Sequence, residues 1–454
     1  MNKINTLENI YRNQRNQIEK HNFIDIDRRI LILKKLKKLL QEQEKHVSEA
    51  LFKDLNKHEN EVYISEISLV YSEINLYIKK LKQWTKLKRV KTPFYLWPAK
   101  SRIMYEPLGG ALIISPWNYP LMLSLVPIVN AIGAGNRVII KPSEYCVNFS
   151  NWLFDFINKN FENDLIYCAN FDLENAKWLL DKEFDVIHFT GSTNIGKIVA
   201  EKAAKKLTPV ILELGGKSPT VVCDDTNLDN AVENIFYGKV INSGQTCTAH
   251  DYALVQENIV EKFIQKFNLI LHEQLGNEPL KNSSLPKIIS QKHFDRLINM
   301  KPDLVYDAEQ LKIYPLAYTT DEKDKMMQEE IFGPILPIIP FKDINEAIDF
   351  INVRDNPLAS YLFSSSKMKQ KLFKSKVQSG SLIINTTTMH LANSYLPLGG
   401  VKNSGLGKYR GFEGFKAFSH AKSIFYKRNT SRILFLLKRP FTGKKVKIIK
   451  SIIK

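Results

Sequence analysis

From Gly109 onward the chain breaks into short apolar runs set between Pro/Gly/Asn turns and helical stretches: 111–114, 138–140, 165–168, 186–189 and 210–212. Runs this short and this continuous are strands buried on both faces, and the helical stretches between them are crossovers. The pattern predicts a parallel sheet covered on two sides. A second series, 220–223, 253–255, 335–339, 361–363 and 381–384, predicts a second α/β domain. At 454 residues the chain exceeds what one core supports, so two or three domains are expected. Sheets of this class bind nucleotides at the C-terminal ends of their strands. Ahead of them, residues 28–84 read as helices because Ile30, Leu33, Leu36 and Leu40 recur at helical spacing and Val47 and Leu51 extend the same face. That stretch reads as packing, with no chemistry assigned to it. Residues 95–105, where Pro93 and Pro98 break helix, read as an extended excursion.

Chemistry is sought where the runs end. The four cysteines (Cys146, Cys168, Cys223, Cys247) lie far apart, with no C-x-x-C pair or Cys/His cluster, which points to a reducing compartment and no structural metal. Cys247 differs from the others in its setting, Asn-Ser-Gly-Gln-Thr-Cys-Thr: Gly244 permits a sharp turn, and small polar neighbours leave the sulfur uncovered. A thiolate there can attack a carbonyl carbon. A cysteine taken alone is more often a small core hydrophobe, so the other motifs must decide.

Phe189-Thr-Gly191-Ser192-Thr-Asn-Ile-Gly196-Lys197 follows a strand and opens a helix, where free amides can meet a phosphate. It nearly spells a P-loop, but Ile198 stands where magnesium needs Ser or Thr, and the spacing is not that of G-x-G-x-x-G. In Ser115-Pro-Trp117-Asn118-Tyr-Pro, Asn118 falls at a strand's C-terminal edge, either as a plain turn residue or as an amide donor to an oxyanion. Lys141-Pro-Ser-Glu144 closes the next strand with a cation and a carboxylate, a solvated pair or a bracket for a ribose. Glu213-Leu-Gly-Gly-Lys places a carboxylate at a strand end beside two glycines, and burial there would make it a general base. Glu329-Glu330-Ile-Phe332-Gly-Pro opens another strand.

Hydrophobic residues make up 44% and charged residues 25%, an ordinary globular balance, and no window approaches the ~18 continuous apolar residues of a membrane span. Residues 1–20 are polar and mixed in charge, without the apolar run of a signal peptide, so cytoplasmic residence is expected. The net charge of +18 is uneven: residues 422–454 hold eleven Lys/Arg and no Asp/Glu, leaving +7 for the rest. In this tail Val446, Ile448, Ile449, Ile452 and Ile453 alternate with lysines, and the apolar run 433–437 precedes them. The spacing predicts a basic amphipathic helix suited to an anionic membrane surface, or docked on its own or a neighbouring subunit. Nucleic acid is not expected, because no stacking aromatics accompany the lysines.

In order along the chain, PWNYP, KPSE, FTGSTNIGK, LELGGKSP, GQTC, EEIFGP, NPLASYLFS and LPLGGVKNSGLGKYRG resemble the signature series of the NAD(P)-dependent aldehyde dehydrogenases, over roughly residues 31–420. The phrases Leu207-Thr-Pro-Val and Phe418-Ser-His are most similar to the class 3 branch, whose members take medium- and long-chain or aromatic aldehydes. The resemblance implies two Rossmann-like parallel-sheet domains plus a small β oligomerisation extension. The division it suggests is 1–94 with 106–212 for NAD binding, 213–392 for catalysis, 95–105 with 393–420 for the extension, and 421–454 for the tail. It implies Cys247 as nucleophile, Glu213 as base and Asn118 as oxyanion donor, with no metal. For the cofactor it implies Lys141 and Glu144 at the adenosine ribose, Trp117 and Ser192 near the pyrophosphate, and Glu330 on the nicotinamide ribose, with Gly191 and Phe332 also among the cofactor-binding residues. Glu144 would repel a 2′-phosphate, so NAD is expected over NADP, although NADP use also occurs in the branch.

Several positions depart from the family pattern. Leu398 stands where Phe is usual, Lys402 for Gly, His250 for Pro, Arg410 for a His found in many class 3 sequences, and Thr386 for Asp, and 303–318 is short. These bear on pocket shape and substrate preference. The expected activity is oxidation of an apolar aldehyde to its acid by a homodimer. The alternatives are an acyl-CoA-linked reductase using the same thioester, against which Glu213 argues, and a catalytically silent membrane-binding scaffold.

Overall fold

The computed structural model describes residues 3–427, 438–440 and 442–453. Seventeen strands are labelled in chain order: β1 (Lys88–Val90), β2 (Ala99–Pro107), β3 (Gly110–Ile114), β4 (Arg137–Lys141), β5 (Ile166–Cys168), β6 (Val186–Gly191), β7 (Val210–Leu214), β8 (Pro219–Val222), β9 (Tyr252–Gln256), β10 (Tyr306–Asp307), β11 (Lys312–Ile313), β12 (Leu316–Thr319), β13 (Ile335–Phe341), β14 (Ala359–Phe363), β15 (Ser381–Ile384), β16 (Gly405–Leu406) and β17 (Ser419–Lys427). One six-stranded sheet runs β16-β7-β6-β3-β4-β5 and a second β12-β13-β9-β8-β14-β15. All neighbours in both are parallel except β16, which pairs antiparallel with β7. These are the two α/β units expected, and β3 and β4 are buried at every position, as strands covered on both faces must be.

The helix Pro120–Ala134 is buried along its whole length and forms the centre of the first unit's packing. A helix apolar all round belongs inside a protein, and Pro120 at its first turn loses no internal bond. It ends on Gly135 at φ 100, where a Cβ would meet the Arg29 guanidinium at 2.4 Å. The long helix Ile26–Leu55, capped by Asp25, and the helix Ser68–Trp84 lie on it, burying the Leu33, Leu36 and Leu40 stripe.

A third sheet, β1-β2-β17, is antiparallel, with β17 matched to β2 from Ser419↔Pro107 to Lys427↔Ala99. The strand pairing runs across the expected division at several points. The extended excursion runs 99–107, and the sheet also takes in β1 from before residue 95. Its last strand continues through Lys427, so the first residues assigned to the tail are strand, paired through their backbone. Gly405–Leu406, placed in the extension, instead completes the first sheet, and a line between 212 and 213 cuts β7 in two. In the tail, Gly443–Ile453 is helical as expected, with Val446 and Ile448 exposed. The apolar run 433–437 lies outside the described residues. Among the described residues no helix is long and apolar enough to cross a membrane.

Candidate active site

Cys247 sits in the connection between the helix Leu228–Val240 and β9. That connection turns through three successive left-handed residues, Asn242 (φ 49), Ser243 (φ 50) and Gly244 (φ 71). A Cβ at Gly244 would stand 2.2 Å from the carbonyl oxygen of Gly333, so only glycine fits. Loop-to-core hydrogen bonds hold the turn: Ser243 Oγ donates to Pro286 O at 2.5 Å, Gln245 Nε2 to Lys287 O at 3.0 Å, and Ile289 N to Gln245 Oε1 at 3.0 Å. The result separates the four thiols. Cys146, Cys168 and Cys223 are buried, whereas Cys247 is partly open.

The opening is a chamber lined by Leu69, Met122, Leu123, Tyr237, Met389 and Leu398, among others, with Glu213 as its one carboxylate. Leu398, a departure from the family pattern, therefore does shape this chamber. Glu213 lies near the end of β7, bonded across the sheet to Thr190 on one side and Gly405 on the other. Both of its carboxylate oxygens are buried without a hydrogen-bond partner, and burial pushes its pKa up to about 8, the Arg410 charge partly opposing this. Burial also raises the Cys247 thiol, reinforced by the carboxylates of Glu213 and Glu330. Asn118, just beyond β3, is buried and donates from Nδ2 to Gln245 O at 3.0 Å, tying it to the cysteine loop.

A separate cleft opens just beyond the C-terminal ends of β6 and β7, lined by Thr193, Asn194, Lys197, Gly215, Gly216 and Glu330 among others. Ser192 caps the helix Thr193–Ala204, accepting from Ile195 N at 3.5 Å, and Gly191 ends β6. Lys141 ends β4 and pairs with Glu144 at 2.7 Å. Trp117 packs against Phe332 with ring centroids 5.4 Å apart. Gly215 is a close-approach point: a Cβ there would stand 2.1 Å from Glu330 Oε2. Burial, with Asp251 nearby, raises Glu330 to about 8. A helix N-terminus, glycines open to a cleft and the Glu330 carboxylate on its wall suit a dinucleotide.

Of the site residues singled out from the sequence, Cys247 and Glu213 line the chamber and Glu330 lines the cleft, whereas Trp117, Asn118, Lys141, Glu144, Gly191, Ser192 and Phe332 line neither. Others were not anticipated. Tyr119 Oη lies 2.6 Å from Thr246 Oγ1, and Lys57 and Glu66, from a region read as packing alone, reach Asn118 and the helix behind it. Lys239 is buried with no partner for Nζ, and burial lowers it to about 8. Arg410 is buried with Nε and Nη2 unpartnered. His250 is a structural residue, its ring nitrogens 2.6 Å from Thr220 Oγ1 and 2.8 Å from Thr387 Oγ1. Burial holds it far below the usual histidine range, at about 3.

Two nucleotide-type sheets, with a thiol and an unpaired carboxyl in a chamber between apolar walls and a dinucleotide cleft, define an oxidoreductase of the aldehyde-oxidising kind. The chain belongs to the aldehyde dehydrogenase family, whose pattern matches residues 5–424. It is 41% identical over 413 residues to the 4,4'-diaponeurosporen-aldehyde dehydrogenase of Staphylococcus aureus, covering 89% of this chain and 90% of that one. It is 39% identical over 402 residues to the dimeric NADP-preferring aldehyde dehydrogenase of Canis lupus familiaris, covering 87% and 89%. The substrate-bound Staphylococcus aureus AldH structure superposes with a TM-score of 0.94 at 38% identity, over 99% of both chains. Its relatives place it with the class 3 enzymes, and its cofactor is NAD(P).

Proposed function

We propose that this enzyme oxidises an apolar aldehyde, of medium or long chain or aromatic, to the carboxylic acid through a thioester on Cys247. The observation that carries the substrate class is the wall of the chamber, which is aliphatic and aromatic apart from Glu213 and a few hydroxyls. Removing apolar chain from water into such a wall is worth about 0.8 kcal/mol per buried CH₂.

The Cys247 thiolate attacks the aldehyde carbon. One Asn118 amide hydrogen is taken by Gln245 O, and the second, with the Cys247 backbone N–H, holds the resulting oxyanion. Bound NAD(P) supplies a hydride acceptor. Glu213, unpaired and held in the chamber, then removes a proton from the water that releases the acid. When the cofactor binds, Lys141 and Glu144 would hold the adenosine ribose, Trp117, Gly191 and Ser192 would border the pyrophosphate, and Glu330 with Phe332 would orient the nicotinamide end. Glu144 favours NAD over NADP by charge repulsion of a 2′-phosphate.

The protein acts as a homodimer assembled through the β1-β2-β17 sheet, on the cytoplasmic face of a membrane that the basic tail contacts. Support comes from the exposed Val446 and Ile448 on a helix carrying Lys444, Lys447 and Lys450. The deciding assay follows NADH formation from aldehydes of graded chain length with wild type and Cys247→Ala. Rising kcat/KM with chain length, abolished by the substitution, is expected. Turnover confined to short polar aldehydes would overturn the substrate class.

A further inference from the structure

The Lys57 side chain is fully buried, an arrangement that costs several kcal/mol unless every donor is used. Its ammonium donates to Glu66 Oε1 at 2.7 Å and to the carbonyl oxygen of Asn118 at 3.1 Å, and it stands 4.3 Å from the centre of the Tyr119 ring. Three donors thus have three acceptors, one of them a π face. Glu66 is equally occupied: its other oxygen accepts Leu121 N at 2.8 Å and Met122 N at 3.2 Å, free amides at the start of the helix Pro120–Ala134. The Asn118 carbonyl takes a second bond from Asn242 Nδ2 at 2.8 Å, and the preceding carbonyl, of Trp117, takes the Cys146 thiol at 3.1 Å. Asn242 N in turn donates to Glu61 Oε1 at 2.9 Å. Tyr119 continues the line to Thr246, next to Cys247.

We propose that Lys57 is a positioning residue for the oxyanion-holding step. It clamps the backbone of Asn118 by its carbonyl, so that the side-chain amide of Asn118 is already aimed when charge develops on the substrate oxygen. A donor fixed in advance stabilises that charge without reorganising during the reaction. Glu66 serves as the counter-ion that lets the ammonium remain buried, and Asn242 is the second clamp, linking Asn118 to the cysteine loop.

The inference rests on Asn118 being the oxyanion donor, and the test separates the two. Lys57→Met is measured in wild-type and Asn118→Ala backgrounds, with steady-state kinetics and the rate at which iodoacetamide alkylates Cys247. Alkylation forms no oxyanion. The expected result is a kcat lowered at least tenfold by Lys57→Met with KM changed less than about threefold. Alkylation stays unchanged, and the kcat loss shrinks to under about twofold when Asn118 is already alanine. Equal losses in both backgrounds, or an alkylation rate that falls with kcat, would overturn the proposal and leave Lys57 a stability element. An unchanged kcat in Asn118→Ala alone would remove the oxyanion assignment instead. Should Lys57→Met fail to fold, Asn242→Gly suits the same cycle, since φ 49 favours glycine and it removes one of the two clamps on the Asn118 carbonyl. Its effect must also vanish in the Asn118→Ala background.

Discussion

Glu213 and Cys247 line the same apolar chamber, and the carboxyl of Glu213 has no hydrogen-bond partner at either oxygen. An unpaired buried acid is held protonated to a higher pH, about 8 here against an ordinary 4.5. In the proposed mechanism, hydrolysis of the thioester needs the ionised form, so kcat is expected to climb with pH through about 8 wherever this step limits turnover. Glu213→Gln should lower steady-state kcat by ~10²–10⁴-fold. A rapid-mixing experiment should still show one NADH per Cys247 in the first turnover, because the hydride leaves before water is activated.

The same acid makes a stability prediction of definite sign. Its folded-state pKa is raised above the unfolded value, so its contribution is fully present below about 4.5, declines as pH rises, and is gone above about 8. Glu213→Gln removes that dependence. Denaturant midpoints of variant and wild type should therefore separate in the variant's favour as pH is raised from 5 to ~9. A constant difference across that range would show the carboxyl to be ionised in the fold at neutral pH.

Gly215 lies against Glu330 with no room for a methyl group, the nearest obstacle being the flexible end of the glutamate. Gly215→Ala should therefore fold, push Glu330 aside and raise KM for NAD by about tenfold or more, with a much smaller effect on KM for aldehyde. Product-formation curves at fixed aldehyde and varied NAD measure this directly.

Glu144 holds Lys141 at 2.7 Å, and the pair is proposed to meet the adenosine ribose. Neutralising it in Glu144→Gln frees the lysine for a phosphate and removes a repulsion. The ratio of kcat/KM for NADP over NAD should rise by about tenfold or more. A ratio unmoved by the substitution would remove Glu144 from cofactor discrimination.

Because β17 is part of a sheet up to Lys427, the tail is best removed after that residue. A chain ending at Lys427 should keep full activity on a soluble aldehyde but lose co-flotation with vesicles containing anionic lipid. Binding of the full chain should weaken steeply with added salt, since lysine attraction to the surface is screened. Equal flotation of both chains would rule out the tail as the contact.

The strands of the two six-stranded sheets other than β12 and β16 were legible to within a few residues, since a strand buried on two faces has no choice but a continuous apolar run. The proposed nucleophile, Cys247, and the proposed base, Glu213, were legible only as members of an ordered motif series. Neither a lone cysteine nor a glutamate beside two glycines carries its burial in its neighbours. Gly405–Leu406 was not legible as a strand, because two residues hold no periodicity, and its partner β7 lies nearly 200 positions earlier. Ser419–Lys427 is exposed at seven of its nine positions and shows no alternation of buried and exposed residues, and its lysines run on into the basic tail and conceal the boundary. Lys57 and Glu66 were hidden for the opposite reason. On a helix-rich stretch full of lysines, a fully buried ion pair has the same letters as a solvated one.

The rung between Glu213 and Gly405 also sets a timetable. During synthesis Asn118, Glu213 and Cys247 all leave the ribosome well before residue 405, so the strand bearing Glu213 lacks one edge for the time it takes to make the intervening residues. The chamber that holds Cys247 therefore acquires its finished surroundings only after Gly405–Leu406 has been made.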